Sequence, residues 1–398
     1  MKRTLKLFGM IAVSALFTIT SCQKEDQLSN SPQSTTEGPD MSEKGMNPDE
    51  TALKDESARR LGGFLYIEGN ELGTNNIHIF RQHPNGSLTL EGTVASGGSG
   101  SGAALGSQGA LALSNHHRML FAVNAGDNSV SAFRVRNNGS LTITDTKSTS
   151  GTLPVSVCVH RNIVYVVNSG SDNISGFMMD AVGDLNPIPG SILPLSGNGV
   201  APAQISFSPN GHYLYVTEKM TNTISVYEVD ANGLATPGNS ISSTGTTPFG
   251  FDFSRNSFMI VTNASGGIPN ASSVTSYSGI NTGNLNAINN EAPNNQSASC
   301  WVTMTAFERF AFVTNTGSDN ISTYYVSPWG GLYLVDGTTV ATGDAPSDIV
   351  VAANNYYVYN INASSNTITR FHRTFLGGLV SDGITPGLPD FAAGLVAI

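Results

Sequence analysis

The chain has 398 residues, a net charge of −10 and only 12% charged residues, with 43 glycines and much Ser, Thr and Asn. This mixture lacks the long Leu/Ala/Glu/Lys/Arg stretches of helix bundles and coiled coils. It also argues against nucleic-acid binding, which needs a cationic face to displace counterions from phosphate: from Leu61 to Ile398 the only lysines are Lys147 and Lys219.

In chain order, Lys2, Arg3 and Lys6 precede an apolar run from Leu7 to Ile19, too short to span a bilayer as a mature helix. Thr20-Ser21-Cys22 comes next. Residues 1–21 read as a secretory signal, and the small residues before Cys22 resemble the lipobox of bacterial lipoproteins. That resemblance implies cleavage before a lipidated Cys22 and an outer-membrane location; an ordinary signal with a chance cysteine is the alternative. Gln23-Lys24-Glu25-Asp26 resembles a short surface-export tag, or is simply a charged tether. Residues 22–60, rich in Ser, Pro, Gln, Glu and Asp, cannot bury enough surface to offset their ordering entropy and are expected to be a disordered tether.

From Leu61 onward a repeat takes over. A β-branched residue followed by an aromatic three positions later occurs seven times, at Ile77/Phe80, Val130/Phe133, Ile174/Phe177, Ile224/Tyr227, Val274/Tyr277, Ile321/Tyr324 and Ile368/Phe371. Ten or eleven residues after each anchor, a Gly-containing turn ends in Leu, from Leu88 to Leu379. Before each anchor lies a second apolar run, such as Leu120–Asn124 or Leu214–Glu218, and a polar Gly/Ser/Asp/Asn turn. These are hairpins. A further strand precedes most of them, often opened by proline, as at Pro154, Pro202, Pro248 and Pro346. Four strands per repeat, seven times, predict an all-β, seven-bladed β-propeller. The first repeat lacks its preceding strand, while the chain ends on the apolar Gly394–Ile398. The tail is therefore expected beside Phe64–Glu68, closing the first blade and removing an open sheet edge.

Tyr215-Val216-Thr217, Val261-Thr262-Asn263 and Val313-Thr314-Asn315 make these repeats resemble the YVTN and lactonase-like family of seven-bladed propellers, which includes 6-phosphogluconolactonase-type hydrolases. The resemblance spans Leu61–Ile398. It implies a ligand or catalytic face where the turns between second and third strands meet the starts of the inner strands. Family hydrolases carry a pattern like Pro-Arg-His on an inner strand and Asn-Glu at the next strand end. Here the fourth blade has Pro202-Ala203-Gln204 and Thr217-Glu218, keeping the acid and lacking the arginine and histidine.

The last residue of each second strand reads Glu68, Asn124, Asn168, Glu218, Asn263, Asn315 and Asn362. Asparagine there is expected to bond its own turn backbone, and Glu68 and Glu218 stand out as acids. Glu218 is the candidate base, with a turn-stabilising role as the alternative. Glu68, Gln204 and Asp348 are candidate ligand-binding residues, the last two lying two positions after their prolines. Asp252 is a weaker case. His116, His117, His160 and His212 fall in turns facing away from that mouth. The turns around Asp172 and Asp319 could hold Ca²⁺, although Asx turns explain them without metal. The glycine stretch Gly97–Gly102 is no phosphate loop; with the insertion Ala264–Ser273 it reads as a flexible recognition loop. Cys158 and Cys300 fall in blades too far apart to bridge each other and are expected as free, buried thiols.

The sequence thus points to a monomeric, lipid-anchored propeller, touching the membrane through its lipid alone. It is expected to bind a neutral small molecule, a glycan or a protein at the channel mouth, with no metal, cofactor or nucleic acid. A lactone hydrolase using a channel-mouth carboxylate is the alternative.

Overall fold

The computed structural model describes residues 62–255 and 258–398, with Thr338 and Thr339 by backbone only. The signal, Cys22 and the tether lie outside the described residues. Seven antiparallel sheets succeed one another along the chain, each running from an inner to an outer strand. The inner strands of blades 2 to 7 are Leu111–Leu113, Pro154–His160, Pro202–Phe207, Pro248–Phe253, Ser299–Met304 and Pro346–Val351. In blades 3 and 4 the outer strand is split in two, at Leu185–Pro187 with Leu193–Pro194 and at Ala235–Pro237 with Ile241–Ser242. Proline donates no hydrogen bond to the ladder, which is why these outer strands break at Pro187 and Pro237.

Blade 1 closes as expected. Its inner strand is Ala393–Ala397, which pairs with Gly63–Glu68 in the register Tyr66↔Val396. Phe64 and Ile398 exchange backbone hydrogen bonds of 3.0 and 2.9 Å. The hairpin turns owe their shape to residues that tolerate a left-handed backbone: Asn128, Asp172, Asn222, Asp319 and Asn366 all have φ between 46 and 61°.

The Tyr-Val-Thr-Asn signature is a set of rivets. Tyr66, Tyr165, Tyr215 and Tyr359 each send their hydroxyl to a carbonyl in the next blade, at Gly139, Gly233, Ile280 and Gly86, all in the turn between third and fourth strands. Thr217 and Thr262 donate to Phe249 O and Cys300 O on the next inner strand. The asparagine holds its own hairpin, through side chains rather than the expected turn backbone. Asn124 donates to the hydroxyls of Ser129 and Ser131, and Asn362 to those of Thr367 and Thr369.

The recurring Gly-Leu turn has the same logic. At Gly377 (φ 89°) a Cβ would fall 2.3 Å from the Phe310 ring, and at Gly139 (φ 80°) equally close to Phe64. Only glycine lets each turn press onto the aromatic of the preceding blade. The buried Tyr and Phe side chains fill the spaces between blades, so the core is a ring of intersheet layers.

Candidate functional site

The hub is stoppered. Residues 104–110, which follow the Gly97–Gly102 stretch, run into the channel and cross it. Gln108 bonds blade 6 through both ends of its amide, with Nε2 donating to Val302 O (2.8 Å) and Oε1 accepting from Val302 N (3.1 Å). Its backbone N–H donates to Ala203 O in blade 4. Ser107 Oγ donates to Val155 O in blade 3, and Trp301 Nε1 to Ser107 O at 2.9 Å. Lys219 adds its ammonium to Gly106 O and lies 4.9 Å from the Phe249 ring centre. Burial pushes the Lys219 amine down to about 8. A buried amide or ammonium must find partners, and here the plug supplies them. The loop is a structural stopper, and its glycines shape the backbone that threads the ring.

The plug leaves a cavity on either side. The upper one, about 340 Å³, opens on the face of the turns between second and third strands. Leu105, Trp301 and Phe391 form its apolar wall, and Thr316, Ser347 and Ser364 supply hydroxyls with Asp348 at the base. None of its described lining residues is Lys, Arg or His. The lower one, about 400 Å³, is bounded by the far halves of the inner strands, including His160, Gln204, Asp252 and Asp348.

The hub polar residues work as staples between neighbouring inner strands. Ser156 Oγ accepts from Ile205 N, Gln204 Oε1 from Phe251 N, Asp252 Oδ2 from Met304 N, and Asp348 Oδ2 from Leu395 N. Each bond carries one blade to the next. Burial pushes the Asp348 carboxyl up to about 7 and that of Asp252 to about 6, against the downward pull of the amides each accepts.

The four candidate residues are therefore not gathered at one mouth. Gln204 and Asp348 face the hub. Glu218 is fully buried in its own hairpin, accepting from Ser196 N, Ser196 Oγ, Thr221 Oγ1 and Ser225 Oγ. That is the asparagine's hairpin role, with the carboxylate accepting where the amide donates. Glu68 does not share the position at all. It pairs with Ile77 as Val123 pairs with Val130 and Thr217 with Ile224, so Gly69 takes the asparagine place. A seven-residue turn, 69–75, hid this one-residue offset, which flips a strand side chain to the other face. Glu68 points toward blade 2, fully buried, with Oε1 accepting from Asn75 and Oε2 without a partner. Burial raises its carboxyl well above the ordinary range, and Glu71 adds to this.

Other turn residues also have structural work. Asp172 accepts from Gly199 N and Val200 N, and Asp319 from Ala345 N, so both brace the following loop. His116 and His117 lie on the face opposite the upper cavity, as expected. Cys158 is a free buried thiol, but Cys300 is not free, so the expectation of two free thiols holds for Cys158 alone. Trp301, Lys219 and the Ser107-Gln108 plug stand at no strand end and were not among the sequence candidates. A lone tryptophan on an inner strand and a lone lysine at a hub turn were the available signals.

Seven blades around a plugged, polar-stapled hub define a propeller whose channel is divided into two blind cavities and does not run through. The chain belongs to the lactonase family of seven-bladed β-propellers: the family model described as "Lactonase, 7-bladed beta-propeller" matches residues 59–194 and 191–300. Among solved structures it is similar to a candidate 6-phosphogluconolactonase from Bacteroides fragilis NCTC 9343, at 18% identity and TM-score 0.68, covering 84% of this chain and 98% of that one. A counterpart from Bacteroides uniformis ATCC 8492 gives 18% and 0.70, covering 84% and 99%. The periplasmic gluconolactonase PpgL of Pseudomonas aeruginosa gives 17% and 0.65, covering 85% and 99%. These identities speak for the fold. No curated protein matches the chain.

Proposed function

We propose that this protein is a lipid-anchored, surface-exposed lactonase-like propeller that holds a neutral sugar, sugar lactone or similarly small polar molecule in the upper cavity. The observation that carries this reading is the cavity wall: aromatic and aliphatic surface on one side, hydroxyls on the other, and no cationic side chain among the described lining residues. A phosphorylated ligand would bring its negative charge beside Asp348 with no arginine to pair it, which is costly in a partly desolvated site. Uncharged ligands suit apolar walls with a few convergent polar groups. A glycan end fits these terms, and a protein partner would have to present a small uncharged group of the same kind.

A second reading, lactone hydrolysis, is favoured by Asp348. With its carboxyl held at about 7, a sizeable fraction is ionised at neutral pH and can serve as a general base. It would take a proton from a water attacking the lactone carbonyl; the ring C–O bond would then break and the departing oxygen would take up the proton. In this reading Asp348, which accepts one backbone N–H on each oxygen and keeps a lone pair on each, replaces Glu218, on which four donors converge.

The deciding experiment uses the purified protein with unphosphorylated and phosphorylated sugar lactones, and calorimetric titration with neutral mono- and disaccharides. Turnover lost in Asp348→Asn supports hydrolysis. Binding of a neutral ligand without turnover supports the binding role, selective capture of the phosphorylated lactone overturns it, and capture of that lactone without turnover sinks both. The mass of Cys22 after membrane extraction tests the anchor, and protease access on intact cells tests surface exposure.

A further inference from the structure

The arginines gather on one face of the ring, which also carries acids: Glu308, paired with Arg255, and Asp180, Asp184 and Asp230 in the turns of blades 3 and 4. From Gly62 onward there are nine arginines, and eight lie within two residues of a turn joining first to second or third to fourth strands. Those turns form the face opposite the upper cavity. Arg81, Arg118 and Arg136 stand exposed on blades 1 and 2, and Arg255 and Arg309 on blades 5 and 6. The opposite face carries acids at its turns and interblade loops, among them Glu71, Asp127, Asp172 and Asp344.

The same basic face carries an apolar cluster. At the tip of the turn between third and fourth strands, blades 1 to 5 have small or polar residues apart from Val182 and Ile280, and Ile280 is buried. Blade 6 instead has Trp329, 84% exposed, and blade 7 has Phe375 and Leu376, 40% and 56% exposed. The first turn of blade 6 adds Phe307, 78% exposed. Because Gly377 presses on Phe310, the blade 7 turn leans toward the turn that carries Phe307. Single exposed hydrophobes are ordinary, but a cluster of large ones ringed by arginines marks an interaction surface.

Where the chain joins the ring identifies the occupant. Gly62 lies against Pro84, in the turn between third and fourth strands of blade 1, so the chain enters the ring on this same face. A lipid at Cys22 would tether the ring from that face, so that face can meet the bilayer without the tether passing round the ring. Tryptophan and phenylalanine seat well at the headgroup boundary, and arginine pairs with anionic headgroups. No described helix is long and apolar enough to cross a membrane, so the contact would be interfacial.

We propose that the face formed by blades 5, 6, 7, 1 and 2 is a membrane-docking surface that rests on an anionic bilayer through Trp329, Phe307, Phe375 and Leu376, turning the upper cavity away from the membrane. This rests on the lipid-anchor reading for the side from which the bilayer approaches, and it adds a second contact to that anchor.

The test uses the mature chain from residue 22 carrying Cys22→Ser, made without lipid, mixed with phosphatidylglycerol/phosphatidylethanolamine vesicles or with pure phosphatidylcholine vesicles. Partition onto the anionic vesicles is expected, weakening at high salt, with a blue shift of tryptophan emission. The chain has two tryptophans and Trp301 is only 6% exposed, so the shift reports Trp329. The double variant Trp329→Ala/Phe307→Ala is expected to lower partition by at least about tenfold, while Leu72→Ala, 80% exposed on the opposite face, leaves it unchanged. The proposal fails if the Cys22→Ser chain ignores anionic vesicles, if the double variant binds them as well as its parent, or if the face captures a soluble protein and no vesicle. Acylation of Cys22 in the wild-type chain is read separately by mass. Its absence overturns the anchor, and vesicle partition decides the face.

Discussion

Asp348, on the inner strand of blade 7, accepts the backbone N–H of Leu395, on the C-terminal strand of blade 1, at 3.0 Å. One buried carboxyl therefore makes the hub bond that joins the last blade to the first. Its other oxygen is occupied by the N–H of Ile349.

Burial raises the folded-state value of Asp348 to about 7 from an ordinary 3.8, so the folded chain holds this proton more tightly than the unfolded one. Stability from this group is then greatest below the ordinary value and is lost as pH rises through about 7. A tenfold difference in proton affinity is worth about 1.4 kcal/mol, so the propeller is expected to be a few kcal/mol more stable at pH 5 than at pH 8. Asp252, raised to about 6, acts in the same sense. Asp348→Asn keeps an acceptor for Leu395 N and should remove its own part of the dependence, leaving the shares due to Asp252 and to Glu68, whose carboxyl burial also raises. Melting temperature against pH checks this; a slope unchanged by the substitution contradicts it.

The closing strand leads to a second expectation. Leu395 is 4% exposed and packs in a cluster with Leu65, Tyr359 and Ile361, so the tail contributes core as well as backbone bonds. Deleting Gly394–Ile398 removes both and exposes the edge of Gly63–Glu68. The truncated chain should unfold over a broad range and aggregate through that edge. A single melting transition at the full-length temperature would show that closure is dispensable.

Most of this architecture was legible in the sequence, because a propeller repeats one strand pattern and each repeat checks the others. The anchor pairs Ile77/Phe80 to Ile368/Phe371 fix blade number, and Gly394–Ile398 reveals the closure. The site was less legible, for reasons particular residues make plain. Glu68 stands at a strand end like Glu218, yet its longer hairpin puts it on the other side of the sheet. The stretch from Gly97 to Gly102 reads as a loose loop. Ser107-Gln108, a few residues further on, is drawn into the hub by partners in blades 3, 4 and 6 that no local pattern reveals.

Glu218 invites a third test. Four donors converge on its carboxylate, and Gln in its place accepts through one oxygen and points an amide N–H₂ at hydroxyls that had been donating. Glu218→Gln is expected to cost about 1–3 kcal/mol of stability, while any ligand binding or turnover in the upper cavity persists in the folded fraction. Denaturant melts and activity measured on the same preparation separate the two effects. Loss of chemistry with unchanged stability would return Glu218 to the catalytic role.

The plug supplies the last prediction. Gln108 holds Val302 by two amide bonds, and Trp301 holds Ser107 by its indole N–H, so the floor of the upper cavity and the stopper of the channel are one assembly. Gln108→Ala leaves the N–H and C=O of Val302 without those partners and should cost about 1–3 kcal/mol. The freed segment no longer backs Trp301, so ligand affinity in the upper cavity should fall with it, although the substituted side chain is not among the lining residues of that cavity. Trp301→Phe keeps most of the apolar wall but drops the bond to Ser107 O, and should weaken binding with a smaller loss of stability. Titration of the two variants with the ligand identified for the wild type, alongside thermal melts, gives the comparison. If Gln108→Ala binds ligand with wild-type affinity, the plug is a structural stopper that takes no part in shaping the cavity.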